Sequence, residues 1–332
     1  MEELRSVLVT VRLKPENRKR LEDALGDIKA VFCAPEDRET IASCIQEVDA
    51  AILNSDADAQ ILSGKNLKWI HCCHAGLEKT MRPEIFERNI ILTSSSGRSA
   101  PALAEHAFMF MLALTYDIPR LMRAKDERAW IAGGEYSTRT GMYGKTVGIL
   151  GLGKTGKEVA ALAKGFHMKV LAWRRGAEPA ENVDRLYSAD RGEGFGEILR
   201  SSDYVVLCVE LNDKTWHMIN AGTLGLMKET AFLINMGRGA LIDEPVLVQA
   251  LQSGRIAGAG LDTFEKEPLP SDSPLWNLPN VILTPHTTPM LPDREERMLD
   301  YVLKNLEAYR TGGAFVNRLT VRDMYSHYRP DR

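Results

Sequence analysis

The chain has few cysteines. There are five in 332 residues, an odd number without framework spacing, which excludes a disulfide-stapled fold and leads us to expect reduced thiols and a cytoplasmic setting. A surplus of one charge sign is also missing. Lys and Arg number 42 against 45 Asp and Glu, a net charge of −3. No basic field is available for a phosphate backbone, so no nucleic-acid partner is expected. Long hydrophobic runs are absent too. The most apolar helix candidate, after Pro101, has an unbroken run only from Ala107 to Leu114, far short of the roughly 20 residues of a membrane span. No membrane partner is expected. The Met1 end shows no apolar core or cleavage site of a secretory leader. What remains is an ordinary globular composition, long enough for two domains.

The most informative segment present is Val147–Gly156, VGILGLGKTG. An apolar run ends in Gly151-Leu152-Gly153-Lys154-Thr155-Gly156 and opens directly into KEVAALAKGF, which has helical spacing. Strand, G-x-G-x-x-G turn and helix together form a site where a pyrophosphate can sit on free backbone N–H groups. Gly151 permits the tight turn, Gly153 lets the backbone approach the phosphates, and Gly156 lets the helix pack on the strand.

Strand-like and helix-like segments alternate along almost the whole chain, the pattern of an α/β fold. SVLVTVRL, AAILN and LKWIHCC read as strands, and ENRKRLEDAL as a helix. Ser99-Ala100-Pro101 starts a long apolar helix, PALAEHAFMFMLALTYDI, expected to bridge two domains. From Val147 the order is strand VGILG, helix KEVAALAKGF, strands KVLAW, DYVVLCV and AFLINM, helix EPVLVQALQS, then strands AGAGLD and VILTP. Arg175–Gly196 reads as a surface connection. A last helix, REERMLDYVLKNLEAYR, is expected to return to the first domain. The expected fold is α/β: two Rossmann-like domains with parallel sheets and an active site in the interdomain cleft. Residues 1–100 with 290–332 form a discontinuous substrate-binding domain, and 101–289 form the dinucleotide-binding domain.

The second strand of a dinucleotide unit ends near the adenosine ribose, and a carboxylate there selects NAD. Here KVLAW ends in Arg174-Arg175. Two guanidinium groups suit a 2′-phosphate, so NADPH is expected in preference to NADH; the alternative is solvated surface charge. Three candidates follow at successive strand ends: Arg238 in NMGRG, Glu267 in LDTFEKEPLP and His286 in LTPH. Arg238 can hold a carboxylate and polarise the neighbouring carbonyl. His286 can deliver a proton to a developing alkoxide, and Glu267 can orient the imidazole and favour its charged form. Taken singly, each has an ordinary reading as an ion pair, a loop carboxylate or a packed histidine. Together at strand ends beyond a dinucleotide turn, they read as a catalytic set.

With these elements in order, from LKWIHCCHAGLEK through LAEH, GKTVGILGLGKTG and TLGLMKETAFLINMGRGALIDEPVLVQAL to AGAGLDTFEKEPLP and ILTPH, the chain resembles the D-isomer-specific 2-hydroxyacid dehydrogenase family, in particular its glyoxylate/hydroxypyruvate reductase branch. The resemblance covers most of the chain. It implies that Arg238, Glu267 and His286 are the catalytic trio and that the backbone amides of Ala75 and Gly76 bind the substrate carboxylate. It further implies that Leu152, Gly153, Lys154 and Thr155 line the pyrophosphate, Met236 approaches the nicotinamide, and Asp262 faces the carboxamide. A homodimer built through the helix after Pro101 is also implied. The expected reaction is NADPH-dependent reduction of a small 2-oxo acid, such as glyoxylate or hydroxypyruvate, to a D-2-hydroxy acid. The alternatives are an NAD-dependent dehydrogenase of a larger D-2-hydroxy acid and a nucleotide-sensing binding protein of the corepressor type.

Two departures stand out. Glu210-Leu211 occupies the place where the family usually has Pro before Leu, putting a carboxylate near the adenosine half. Thr287-Thr288-Pro289 follows His286 where small residues are usual, which would reshape the wall beside the nicotinamide. His71-Cys72-Cys73-His74 resembles a metal cluster only in composition. Adjacent strand residues point to opposite faces, so no metal is expected; His74 and Cys73 are expected to line the substrate pocket instead.

Overall fold

The computed structural model describes residues 3–131, 134, 139–288 and 290–326. The chain forms two compact units, one of Met1–Ser99 with Met290–Asp331 and the other of Ala100–Pro289. It starts in the first unit with β1 (Ser6–Val9), α1 (Pro15–Leu25), β2 (Lys29–Phe32), α2 (Arg38–Cys44), β3 (Ala50–Leu53), α3 (Ala59–Leu62), β4 (Trp69–Cys72), α4 (Pro83–Glu87) and β5 (Ile91–Ser94). The second unit runs through α5 (Ala100–Thr115), α6 (Ile118–Asp126), β6 (Thr146–Leu150), α7 (Lys154–Gly165), β7 (Lys169–Arg174), β8 (Arg185–Ser188), α8 (Gly196–Ser201), β9 (Tyr204–Leu207), α9 (Ala221–Leu224), β10 (Phe232–Asn235), α10 (Glu244–Gln252), β11 (Gly258–Leu261) and β12 (Val281–Leu283). The chain then returns to the first unit as α11 (Arg294–Thr311) and β13 (Arg318–Leu319).

The first sheet has the order β13-β5-β4-β3-β1-β2, parallel except for β13, which closes the β5 edge antiparallel. Its central strands β3 and β4 are buried along their whole length, so they read as continuous apolar runs rather than alternating ones. α11 covers one face with Met298, Leu299, Val302, Leu306 and Tyr309, at i, i+1, i+4, i+8 and i+11 spacing, against Leu21 and Leu25 of α1. That stripe is the physical reason the last helix belongs to this unit, since each such side chain contributes about 2 kcal/mol when removed from water.

The second sheet is wholly parallel in the order β12-β11-β10-β9-β6-β7-β8. The chain runs outward from β6 through β7 to β8 and then crosses back to β9 on the other side of β6, which makes β6 the strand where direction reverses, and a crevice opens beyond the carboxyl ends of strands at such a point. One expectation is corrected in this unit and another is sharpened. α5 begins where the chain enters the second unit and packs within it, stacking Phe108 on Phe166 with centroids 5.0 Å apart. Phe110 lies so close to Gly260 that a Cβ there would meet its ring at 2.5 Å. The stretch 175–196 is not all surface connection, because β8 pairs with β7 from Leu171↔Arg185 to Arg174↔Ser188. A four-residue edge strand alternates only twice, and its Gly- and charge-rich flanks hide it. Among the described residues, no helix is long and apolar enough to cross a membrane.

Candidate active site

The turn between β6 and α7 is built as its glycines require. Gly151 has φ +99°, and a Cβ there would lie 2.5 Å from the Cys208 and Val209 backbone; at Gly156 it would be 2.1 Å from the Gly151 carbonyl. Only glycine fits either place. At Gly153 nothing lies within 4 Å of an added Cβ, so this point of the turn is open. Gly153 is also the N-cap of α7, and no side chain caps that end. An uncapped, open helix start presents donors and the positive end of the helix dipole to an anion. Leu152 turns inward to the core, with 3% exposure.

At the end of β7, Arg174 is held by its own loop. Its Nε donates to the Gly176 carbonyl at 3.2 Å, and its Nη2 bonds the Glu178 carbonyl and lies 3.1 Å from Glu178 Oε2. Arg175 beside it is exposed. Glu210 is exposed, and its carbonyl accepts from Thr215 Oγ1 at 2.6 Å.

The three residues expected to carry chemistry stand beyond β10, β11 and β12. Buried Asn235 ends β10 and shapes the turn that follows: its Nδ2 donates to the Arg238 carbonyl at 2.9 Å, and its Oδ1 accepts from Gly237 N at 3.1 Å. Arg238 is half-buried and its Nη1 donates to the Gly237 carbonyl at 2.8 Å. Gly239 then seats this turn on the loop after β11, where a Cβ would fall 1.8 Å from the Phe264 carbonyl carbon. In that loop Glu267 Oε1 accepts from Phe264 N at 3.0 Å, while Oε2 lies 2.8 Å from His286 Nδ1.

The electrostatics follow from these contacts. The hydrogen bond with Glu267 raises His286 above the ordinary histidine range, against partial burial and the repulsion of the Arg238 charge. Burial alone would raise Glu267, but the bonds from His286 and Phe264 and the charges of His286 and Arg238 hold it below the ordinary range. Arg238 thus acts on both members of the pair, and the structure brings the three together.

His286 has φ +52°, the left-handed region that a non-glycine residue adopts only when its surroundings hold it there. The restraint is Asp262, which is 1% exposed. Its Oδ1 accepts from Thr284 Oγ1 at 2.5 Å and from Thr287 N at 3.0 Å, gripping the loop on both sides of His286. Thr288 Oγ1 lies 3.3 Å from Oδ2 and 3.0 Å from His106 Nδ1, and His106 Nε2 lies 3.1 Å from Thr284 Oγ1. Partial burial lowers His106 despite the pull of the Asp262 charge, so a neutral ring fits and one ring nitrogen must accept. The short Thr284–Asp262 bond makes Thr284 the donor to the carboxylate and leaves Thr288 to donate to His106. Asp262 therefore braces the histidine loop, and Thr288 is a member of that brace. Sequence reading missed His106, Thr284 and Asn235, with only the LAEH and LTPH segments hinting at the first two, and it singled out Thr288 as part of a pocket wall rather than of this brace. Pro289 lies outside the described residues.

In the first unit Ala75 and Gly76 follow β4, Ala75 exposed and Gly76 at φ +77°. Cys73 is core rather than pocket wall: it is 4% exposed among Val7, Val9 and Met298, and burial pushes its thiol up to about 12. His71 is fully buried, with ring nitrogens 2.8 Å from Thr93 Oγ1 and 2.9 Å from Ser95 Oγ. Both nitrogens are therefore engaged by hydroxyls.

A parallel sheet with a phosphate-type turn at its reversal point and a carboxylate-backed imidazole beyond neighbouring strands defines a nicotinamide-dependent oxidoreductase. The comparisons with known proteins give the family. Residues 108–288 match the NAD binding domain of D-isomer specific 2-hydroxyacid dehydrogenases. The chain is 34% identical over 332 residues to a glyoxylate reductase of Pyrococcus horikoshii, covering 95% of this chain and 97% of that one. Among solved structures it is similar to a D-isomer specific 2-hydroxyacid dehydrogenase from Xanthobacter autotrophicus Py2, in complex with NADPH and MES, at 25% identity and a TM-score of 0.79, covering 96% and 98% of the two chains. It is likewise similar to a glyoxylate reductase from Paecilomyes thermophila, at 28% identity and a TM-score of 0.76, covering 96% and 99%. The chain belongs to the D-isomer specific 2-hydroxyacid dehydrogenase family and is an NAD(P)-dependent enzyme of that family.

Proposed function

We propose that the protein reduces small 2-oxo acids, glyoxylate and hydroxypyruvate first, to D-2-hydroxy acids, with NADPH in preference to NADH. The observation that carries this reading is the 2.8 Å His286–Glu267 bond under the Arg238 charge. The relatives named glyoxylate reductase support the substrate class. The residues present fit a dinucleotide. The uncapped start of α7 suits a pyrophosphate, and the open face at Gly153 leaves room for it. Gly151, Leu152, Gly153, Lys154, Thr155 and Gly156 would hold the phosphates, with Met236 and Asp262 on the nicotinamide side. Arg175, exposed beside the tethered Arg174, is the better placed of the two arginines to meet a 2′-phosphate.

When bound, the reduced nicotinamide supplies the hydride. The protein's own part is to bind, polarise and protonate. In the roles that the family resemblance implies, the amides of Ala75 and Gly76 would bind the substrate carboxylate, and Arg238 would hold the carboxylate and polarise the adjacent carbonyl. With Nδ1 taken by Glu267, His286 presents its Nε2 proton to the carbonyl oxygen as negative charge develops there. Glu267 favours the imidazolium and so holds that proton to a higher pH than an unassisted imidazole would. A homodimer through α5 and α6 would cover Met109, Ile118 and Met122, all exposed. The deciding experiment follows absorbance at 340 nm with glyoxylate, hydroxypyruvate and longer 2-oxo acids, using each cofactor. Turnover of the small acids with a higher kcat/KM for NADPH is expected. Inertness toward all 2-oxo acids would leave only the nucleotide-sensing alternative.

A further inference from the structure

In the first unit, β4 and β5 pair in parallel from Trp69↔Ile91 to Cys72↔Ser94, so the loops that leave them emerge side by side. One carries His74, Ala75 and Gly76. The other carries Arg98, whose backbone N–H is tied to the Ser95 carbonyl at 3.1 Å. The Arg98 side chain is largely buried. Its Nη1 is sealed from solvent, and among the described residues no group accepts a hydrogen bond from its guanidinium. His74 Nε2 is sealed and partnerless as well, while its Nδ1 lies 3.1 Å from the Ala75 carbonyl.

Among the described residues no negative charge answers Arg98. The groups that act on it are Arg294 at the start of α11, another cation, and the Cys73 thiol, kept protonated by burial. Burial and the Arg294 charge together lower Arg98 to about 10. Withdrawing part of a guanidinium from water without a counter-ion is costly, and such unanswered charge is characteristic of ligand sites. A substrate with a single carboxylate does not account for it, because the proposed reaction already gives that carboxylate the Ala75 and Gly76 amides and Arg238.

We infer that Arg98, with the Arg294 charge and the His74 imidazole beside it, receives a second anionic group carried by the substrate, so that the preferred substrate is a dianionic 2-oxo acid. The group is a carboxylate or a phosphate, since both present paired oxygens to a guanidinium fork. This inference rests on the reading of the chain as a 2-oxo acid reductase.

The test compares pairs that differ by a distal anionic group: 2-oxoglutarate against 2-oxopentanoate, and 3-phosphohydroxypyruvate against hydroxypyruvate. The wild type and the variants Arg98→Met and Arg98→Lys are assayed with each pair. In the wild type the dianion of at least one pair should show a kcat/KM about 10-fold or more above its partner, and the pair that does so identifies the group. Arg98→Met should raise KM for that dianion by about 30-fold and for its monoanionic partner by far less, with Arg98→Lys in between. The melting temperature of Arg98→Met should match or exceed the wild type, because an unpaired buried cation has been removed. Equal use of both members of each pair, equal losses on both, or a lowered melting temperature would overturn the inference while leaving the reductase reading intact. Inertness toward all four compounds and toward glyoxylate would remove both.

Discussion

His71 and His286 stand at the carboxyl-end side of parallel strands in two sheets built on the same plan, yet they respond oppositely to protons. His71 is fully buried between two hydroxyls, and burial pushes it down to about 3, helped by the His74 and Arg98 charges. His286 is half-buried beside a carboxylate and is raised above 6.5. Hydroxyls can satisfy either ring nitrogen of a neutral imidazole but bring no charge to balance an imidazolium. One carboxylate at 2.8 Å is the difference between a structural histidine and a proton donor.

The contrast has a sign that can be measured. Unfolded, both imidazoles titrate near 6.5. His71 binds fewer protons folded than unfolded between about pH 6.5 and 3, so its contribution to stability is lost as pH falls through that window. His286 binds more protons folded than unfolded, so its contribution is complete below 6.5 and disappears as pH rises through its raised folded value.

The strongest way to break the comparison is His286→Asn, which keeps a residue tolerant of the left-handed backbone and removes the donor. We expect kcat for reduction to fall by about 1,000-fold with cofactor binding retained, measured by steady-state rates and fluorescence titration. A near-normal rate would contradict the assignment. Next is Glu267→Gln, expected to lower kcat/KM by about 30-fold near neutral pH and to move the alkaline limb of the pH–rate profile downward, toward an unassisted imidazole. A profile that keeps its limb would show that Glu267 does not set the histidine. Third, His71→Asn should cost about 1–3 kcal/mol in urea unfolding at pH 7 and flatten the loss of stability below pH 6.5; an altered pH–rate profile would mean that His71 is tied to the chemistry after all. The smallest effect belongs to Thr288→Val, which takes one member from the brace. kcat should drop about 3-fold and KM by less, through a looser His286, with the position of the alkaline limb unchanged.

How much of this was readable beforehand depended on the range of the interactions. The glycines of the β6–α7 turn act on their immediate neighbours, so Gly151 and Gly156 could be placed from the motif alone. That Arg238, Glu267 and His286 would come together was legible because each lies in the loop after its own strand and parallel strands gather their ends. The brace was not, because it joins His106 on α5 to Thr284 and Thr288 about 180 residues later, and no local pattern records that meeting. The place of Arg174 at a strand end was legible, but its tie to the loop through a glutamate four residues on was not. Arg98 drew no notice because an arginine in a loop is usually solvated, and only its burial makes it unusual. β8 was hidden by length, and Cys73 by lying next to a functional loop while facing the core.

The tight contact between Gly151 and Gly156 has a consequence for coenzyme binding. A turn in which one residue's Cβ position lies 2.1 Å from the other's carbonyl oxygen has no slack to give up, so its donors hold their places before any phosphate arrives. Little ordering entropy then separates the vacant loop from the occupied one. Association with the coenzyme should therefore be set by diffusion and desolvation rather than by rearrangement of the phosphate cradle.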